Sequence, residues 1–310
     1  MKQPPALLPV LAIALNALLW GLSWLPMHAL RDRGVHALWT TFLSYAVAVT
    51  LVILWRPSTV RDLMRDKRLW LLMASSGLTN SSFNWAISIG DVVRVVLLLY
   101  LMPVWSVVLM WLVYGKKPHT LTVVRVLLAV VGVALVLQPP GSSWSTFTVP
   151  VPSSLADWLA LFSGFVFACS SVLLNRLGQL PTIPKVLSMF SGCMLLSGLL
   201  ALGLWLSDVG GVTPLPPLHV GQMGLVLLVS LQLIACNICL QYGAARMQTH
   251  TLTLLMSLEV LFAAVSSAWL GTGVLGNRVL VGGILVVGAA LLEVFDHIGG
   301  LQRRRQPQEP

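Results

Sequence analysis

Apolar runs of about 20 residues, separated by short polar stretches, follow one another along nearly the whole chain. A helix of about 20 apolar residues crosses a bilayer core of roughly 30 Å, and it satisfies its own backbone polar groups there. We therefore predict an all-α integral membrane fold. The ten predicted transmembrane helices span about 6–29, 35–55, 70–89, 93–114, 121–138, 156–175, 184–207, 221–242, 249–271 and 278–296.

The two halves of the chain share a motif. VVGVAL at 130–135 recurs as VVGAAL at 286–291, with five of six residues identical at an offset of 156, and the same offset aligns Pro103 with Glu259. Each copy closes a run of five apolar segments, so a second half with the same pattern enters the membrane from the opposite side. Two inverted five-helix repeats around a central cavity are the plan of many secondary transporters.

This pattern divides the chain into four parts. The first repeat covers 1–138 and the second covers 156–298. The linker 139–155 is rich in Pro, Ser and Gly, so we expect the hinge between the repeats there. Residues 299–310 form a polar tail.

The charges are few and lie beside the apolar runs. Hydrophobic residues make up 57% of the chain and charged residues 9%, against about 25% charged in soluble domains. The net charge of +9 therefore indicates a membrane protein and not a nucleic-acid partner. With a cytoplasmic N-terminus, 15 of the 19 Lys and Arg residues fall on the cytoplasmic side, as the positive-inside rule requires. Both termini are then cytoplasmic.

The sequence contains few motifs that would indicate a catalytic site, a metal site or a cofactor site. Cys236 and Cys239 have CxxC spacing inside an apolar segment, without a second pair or clustered histidines, so we interpret them as structural. No nucleotide-binding loop of the GxxxxGK[ST] type occurs, which argues against ATP as the driving force. We expect no catalytic residues, no metal and no cofactor.

Short motifs resemble one transporter family. Leu19–Trp24 resembles the "WG" opening of the EamA branch of the drug/metabolite transporter superfamily. Tyr100–Val104, followed by Gly115, resembles its fourth helix, and Arg125–Leu137 its fifth. The resemblance implies ten helices, with one to four and six to nine around the cavity, and export of amino acids or other small metabolites across a bacterial inner membrane. Aromatic amino acid exporters of this family carry a similar Tyr-Leu-x-Pro.

Glu259 is the first candidate site residue, because it lies near the middle of the predicted ninth span. A carboxylate at a helix centre is unfavourable by about 2.5–3.5 kcal/mol on insertion scales, so it should face a cavity or a partner. It could contact a substrate amine or carry a proton. The alternative is a carboxylate that only holds neighbouring helices together.

Tyr100 and Pro103 share a face of the predicted fourth span. Proline removes one helical hydrogen bond and bends the helix, and a bent helix beside a cavity exposes carbonyls to a ligand. The alternative is a bend that only serves packing.

Polar residues at helical spacing mark three more cavity-facing surfaces. Each could instead form interhelical hydrogen bonds, worth about 0.6–2 kcal/mol, and the tryptophan could serve packing. The candidates are Asn16 and Trp20 in span one, Asn80 and Asn84 in span three, and Asn237 and Gln241 in span eight, where Ser230 shares their face.

Other charges have simpler interpretations. We expect Asp91 and Arg94 to pair with each other at a helix start, and Asp157 to be favoured by the dipole of helix six. The basic cluster from Arg61 to Arg68 is expected to anchor the chain to anionic lipid.

These observations predict a secondary transporter that exports a small metabolite, such as an amino acid or an aromatic solute, by alternating access. Its partners would be the substrate and the bilayer, with proton coupling left open. We expect a monomer and leave a dimer open. The alternatives are a membrane-embedded enzyme, which the scattered histidines disfavour, and a structural membrane protein, which a solid apolar centre would favour.

Overall fold

The computed structural model describes residues 7–303, except 116–119, 139–150, 178, 210, 245, 248–254, 257 and 271–275. The hinge predicted in the linker falls largely at 139–150, outside the described residues, as does the end of the tail at 304–310. Within the described ranges the regular structure is helical, without a strand.

The described residues form thirteen helices, several of which are two pieces of one apolar run. They are α1 (Leu7–Gly21), α2 (Trp24–Arg31), α3 (Ala37–Trp55), α4 (Ser58–Arg65), α5 (Lys67–Ile89), α6 (Val92–Leu99), α7 (Met102–Tyr114), α8 (Thr120–Val136), α9 (Leu155–Arg176), α10 (Thr182–Leu206), α11 (Val220–Ala244), α12 (Leu258–Trp269) and α13 (Asn277–Arg303).

Six described segments are long and apolar enough to cross a membrane, and three shorter apolar helices accompany them. The chain is therefore a multi-pass integral membrane protein. Helix α5 is 23 residues long but is absent from the six because Ser, Thr and Asn lower its hydropathy. The six segments are Leu7–Arg31, Ala37–Trp55, Val92–Leu109, Leu155–Leu174, Thr182–Leu206 and Val220–Gly243.

The first predicted span is not one continuous helix. Helix α1 ends at Gly21 and α2 begins at Trp24. Between them the amide of Ser23 donates to the Trp20 carbonyl, which is a tighter, three-residue turn. Pro26 has no N–H to give to the carbonyl of Leu22, so the regular helix cannot run through this point.

Glycines set the closest helix crossings. At the crossing of α5 and α10, an added Cβ on Gly77 would overlap the Gly192 carbonyl. Where α8 meets α13, a Cβ on Gly132 would lie 2.7 Å from the Gly282 carbonyl oxygen. Small residues allow helix backbones to approach in this way in membranes, where packing replaces the hydrophobic effect as the driving force.

Helices α8 and α13 run in opposite directions. Gly132 in the middle of α8 meets Gly282. Farther along the chain, the Gln138 side chain accepts from the guanidinium of Arg278, an earlier residue of α13, at 3.3 Å. These helices contain the two copies of the repeated motif, so the copies run in opposite directions.

Candidate functional site

The fourth apolar run is interrupted at Tyr100 and Leu101, between α6 and α7. The amide of Leu101 donates to the Leu98 carbonyl at 3.2 Å, a three-residue turn. Pro103 then occupies the first turn of α7, where its missing N–H leaves no bond unmade. The interruption therefore lies just ahead of the proline.

Glu259 lies in α12 and is half-buried. Residues 255 and 256 are also helical, whereas 248–254 and 257 lie outside the described residues. The predicted position of Glu259, near the middle of a span over 249–271, therefore stays a prediction.

The side chains of Tyr100 and Glu259 lie close to each other beside the interruption between α6 and α7. The Tyr100 hydroxyl lies 3.5 Å from Glu259 Oε2 and 3.4 Å from the Met256 carbonyl oxygen. Both contacts exceed the usual O–H···O distance of about 2.5–3.0 Å, so they are weak. Tyr100 itself is buried, with 7% of its surface exposed.

The contact between Tyr100 and Met256 joins residues that are 156 apart in sequence. This separation equals the offset of the repeated motif in the sequence.

Glycine at position 21 brings α1 against the turn that carries Glu259. A Cβ on Gly21 would lie 2.8 Å from the Glu259 carbonyl oxygen and 2.7 Å from Phe262 Cβ. Nearby, the Trp24 indole donates to Ser266 Oγ at 3.0 Å. The "WG" opening thus fits the backbone of α12, a role that sequence reasoning did not assign to Gly21.

Asn80 and Asn84 take part in hydrogen bonds between α3 and α5. The Tyr45 hydroxyl donates to Asn80 Oδ1 at 2.9 Å, and Asn84 Nδ2 donates to Thr41 Oγ1 at 3.0 Å. Within the described part of the chain, four buried hydroxyls of the same two helices have no partner: Thr40, Ser44, Ser76 and Ser81. A buried polar atom without a partner is a position that water or a solute can satisfy.

The remaining candidates do not converge on Glu259 in one cluster. Asn16 is buried, and its Nδ2 donates to the Cys236 carbonyl in α11 at 2.9 Å. Trp20 packs on a core cluster that includes Tyr45. Asn237 is half-buried and Gln241 is exposed, so the inward face predicted for α11 turns outward at Gln241.

A buried ion pair was missed by sequence reasoning. Arg94 binds Asp157 through two hydrogen bonds, 2.7 and 2.8 Å long, and also donates to the Val136 carbonyl at 2.9 Å. Asp91, the predicted partner of the Arg94 side chain, accepts from the Arg94 backbone amide and caps α6. The pair joins α6, the end of α8 and the start of α9.

An apolar run that is interrupted beside a half-buried carboxylate, in a multi-pass membrane protein, is typical of membrane transporters. Comparison with protein families agrees, since residues 7–138 match the EamA-like transporter family. This family of transporters is part of the drug/metabolite transporter superfamily.

Comparison with solved structures shows the fold alone. A protein described as "Crystal structure of protein" is similar over 96% of this chain and 99% of its own, with a TM-score of 0.59 and 17% sequence identity. No curated protein matches the sequence.

Proposed function

We propose that the chain is a secondary transporter that exports a small metabolite carrying an amine, such as an amino acid or an aromatic amine, by alternating access. One observation carries the proposal. The Glu259 carboxylate lies beside the interruption between α6 and α7, 3.5 Å from the Tyr100 hydroxyl, and no basic side chain among the described residues pairs with it. A carboxylate placed this way accepts donors from a bound cation.

The proposed architecture has ten transmembrane helices in two inverted repeats, at 1–138 and 156–298, around a central cavity. Three observations support it: the contact between Tyr100 and Met256, separated by the offset of the repeated motif, the antiparallel packing of the two motif-bearing helices, and a family match that ends at residue 138. Alternating access would exchange the environments of the two repeats around Glu259.

Each candidate residue has a place in this proposal. Glu259 binds the amine, Tyr100 orients the carboxylate, and the interruption before Pro103 frees backbone carbonyls for the solute. The amides and unpartnered hydroxyls of α3 and α5 offer donors and acceptors along the path. Asn16, Trp20, Asn80, Asn84 and Asn237 complete the proposed lining, and Gln241, which is exposed, is left out of it.

The proposed setting is a bacterial inner membrane with both termini in the cytoplasm, supported by the distribution of Lys and Arg. We propose a monomer, because each chain carries both halves of the site. Whether protons are exchanged for the solute is decided by the pH-gradient arm of the transport experiment.

Transport in proteoliposomes tests the function. The purified chain is assayed with a panel of amino acids and organic cations, with and without a pH gradient. We expect uptake of an amine-bearing solute that Glu259→Gln abolishes, while the exposed-carboxylate control Asp208→Asn transports normally. Unchanged amine transport by Glu259→Gln would contradict the proposed site.

The pH-gradient arm separates two roles of the same carboxylate. If Glu259 carries the proton, the pH gradient drives transport in the wild type. Residual transport by Glu259→Gln that still follows the gradient would rule out this carrier role. A protein that transports none of the panel, in any variant, would contradict the proposed substrate class.

A further inference from the structure

The short helix α4, between α3 and α5, has a buried, an apolar and a basic face, and the exposed Asp62 lies beside the basic one. At about 100° per residue, residues four apart share a face. Thr59 and Leu63 form the buried face, and Leu63 joins the core cluster that contains Tyr45 and Leu187. Helix α4 is therefore held against the end of the bundle.

The next face of α4 is apolar and exposed. Val60 is 36% exposed and Met64 is 63% exposed. Because both side chains are exposed, they are not part of the core. An exposed apolar strip on a helix that is docked to a membrane protein is suited to the boundary between headgroups and acyl chains.

Two exposed tryptophans flank α4 in the sequence, and they also indicate the interface between lipid and water. Trp55 ends α3 and is 72% exposed, and Trp70 near the start of α5 is 45% exposed. The Trp70 indole donates to the Leu63 carbonyl at 3.1 Å, so it is fixed to α4. Exposed tryptophans of membrane proteins concentrate at the interface between lipid and water.

The third face of α4 is basic. Arg61 and Arg65 lie on it, and Arg56 and Lys67 flank the helix, all exposed. In the same stretch, Arg68 pairs with Asp66 at 2.7 Å, and this guanidinium lowers the pKa of the Asp66 carboxyl. The other four cations form no ion pair with any described residue.

We propose that α4 is a docking surface for anionic phospholipids, with Val60 and Met64 in the outer acyl region and Arg61, Arg65 and Lys67 on the headgroup phosphates. Basic residues just outside a membrane span attract anionic lipid, each strengthening binding about fivefold. The buried face transmits the effect, because Leu63 packs in the cluster that contains Tyr45. Anionic lipid should therefore stabilise the bundle. This inference does not depend on the transported solute.

Lipid titration of the full-length chain tests this proposal. The protein is purified in a neutral detergent and titrated with phosphatidylglycerol, phosphatidylcholine or inorganic phosphate. Bound lipid is counted by native mass spectrometry, and the melting temperature is followed in parallel. We expect preferential binding of phosphatidylglycerol, with a rise in melting temperature that phosphatidylcholine does not reproduce.

The triple variant Arg61→Gln, Arg65→Gln and Lys67→Gln should bind phosphatidylglycerol roughly 100-fold more weakly. The control carries Arg33→Gln and Arg246→Gln, which remove exposed cations elsewhere, and should keep the preference. Equal binding by the triple variant and the control would overturn the proposal. So would a melting shift with inorganic phosphate as large as that with phosphatidylglycerol, since the site would then be for a free anion.

A salt titration keeps the test decisive if the triple variant does not fold. The phosphatidylglycerol preference of the wild type should fall as NaCl rises, because exposed charges are screened within about 10 Å at 0.1 M. A preference that is unchanged up to 0.5 M NaCl would contradict a headgroup interaction with exposed arginines.

Discussion

Two carboxylates inside the bundle, Asp157 and Glu259, differ in the hydrogen bonds that they accept. Asp157 receives two hydrogen bonds from Arg94 and a third from the Ser153 amide. Glu259 has the Tyr100 hydroxyl as a contact, at 3.5 Å. A carboxylate with its hydrogen bonds filled is suited to holding helices together, whereas one with open positions is suited to a ligand.

The two carboxylates should therefore respond to mutation in opposite ways. Removing one partner of a buried pair leaves an uncompensated charge and destabilises by about 3–5 kcal/mol. Removing a charge that lacks a partner takes away little stability, and it can relieve a desolvation penalty. Mutation of Asp157 should therefore lower stability, whereas mutation of Glu259 should lower transport and leave stability nearly unchanged.

The largest effect is expected for Asp157→Asn. The Arg94 guanidinium would keep its helix-end carbonyl at Val136 but lose its counter-charge, so we expect destabilisation by about 3–5 kcal/mol. Thermal unfolding in detergent measures it. The exposed control Asp208→Asn should unfold like the wild type. An unchanged unfolding temperature for Asp157→Asn would contradict a structural role for this ion pair.

Gly21→Ala should come next. The new methyl group would meet the backbone of α12 at Glu259, and overpacking of this kind is unfavourable by about 1–3 kcal/mol. Displacement of the turn should also reduce transport. Gly224→Ala serves as the control because no atom lies within 4 Å of its added Cβ. Equal behaviour of the two variants would show that α1 does not position Glu259.

Glu259→Gln should leave the melting temperature within a few degrees of the wild type while transport is lost. Tyr100→Phe should be milder, since it removes a long contact worth less than about 1 kcal/mol. We expect a few-fold weaker substrate affinity in the transport assay. A strongly destabilised Glu259→Gln protein would instead assign the carboxylate a structural role like that of Asp157.

The smallest effect concerns His36, which caps α3 by accepting from the Leu38 amide. Burial and the nearby Arg31 charge lower the pKa of His36 to about 4, so the folded chain keeps it neutral. Between pH 6.5 and 4 the unfolded chain binds the extra proton, and stability falls as the pH falls. His36→Asn should flatten this dependence in melting curves, and a dependence that is unchanged in this variant would assign it to another group.

Several elements followed from sequence periodicity. The apolar runs predicted a multi-pass helical membrane protein and the "WG" and Tyr-Leu-x-Pro motifs predicted the family, which the match over residues 7–138 confirms. A bend was predicted at Pro103, and the interruption lies just ahead of it, at Tyr100 and Leu101. The interruption at Leu22 was not predicted, because hydropathy continues across it, and Pro26 was the local signal available.

Side-chain partners depended on contacts between distant parts of the chain. Arg94 was expected to pair with Asp91, three residues away, but its guanidinium reaches Asp157, 63 residues later. Gly21 was noted for its motif, and its contact with the Glu259 backbone requires that α1 and α12 lie side by side. Spacing along one helix cannot rank such partners.

The sequence by itself determined that this chain is a membrane protein. Its long apolar runs and 9% charged residues are not the composition of a soluble domain. It also determined the family over its first part. Only the tertiary structure decided which carboxylate has an ion-pair partner, because the partners come from segments that are distant in sequence. Asp157 binds Arg94, whereas Glu259, among the described residues, has the Tyr100 hydroxyl as a long contact.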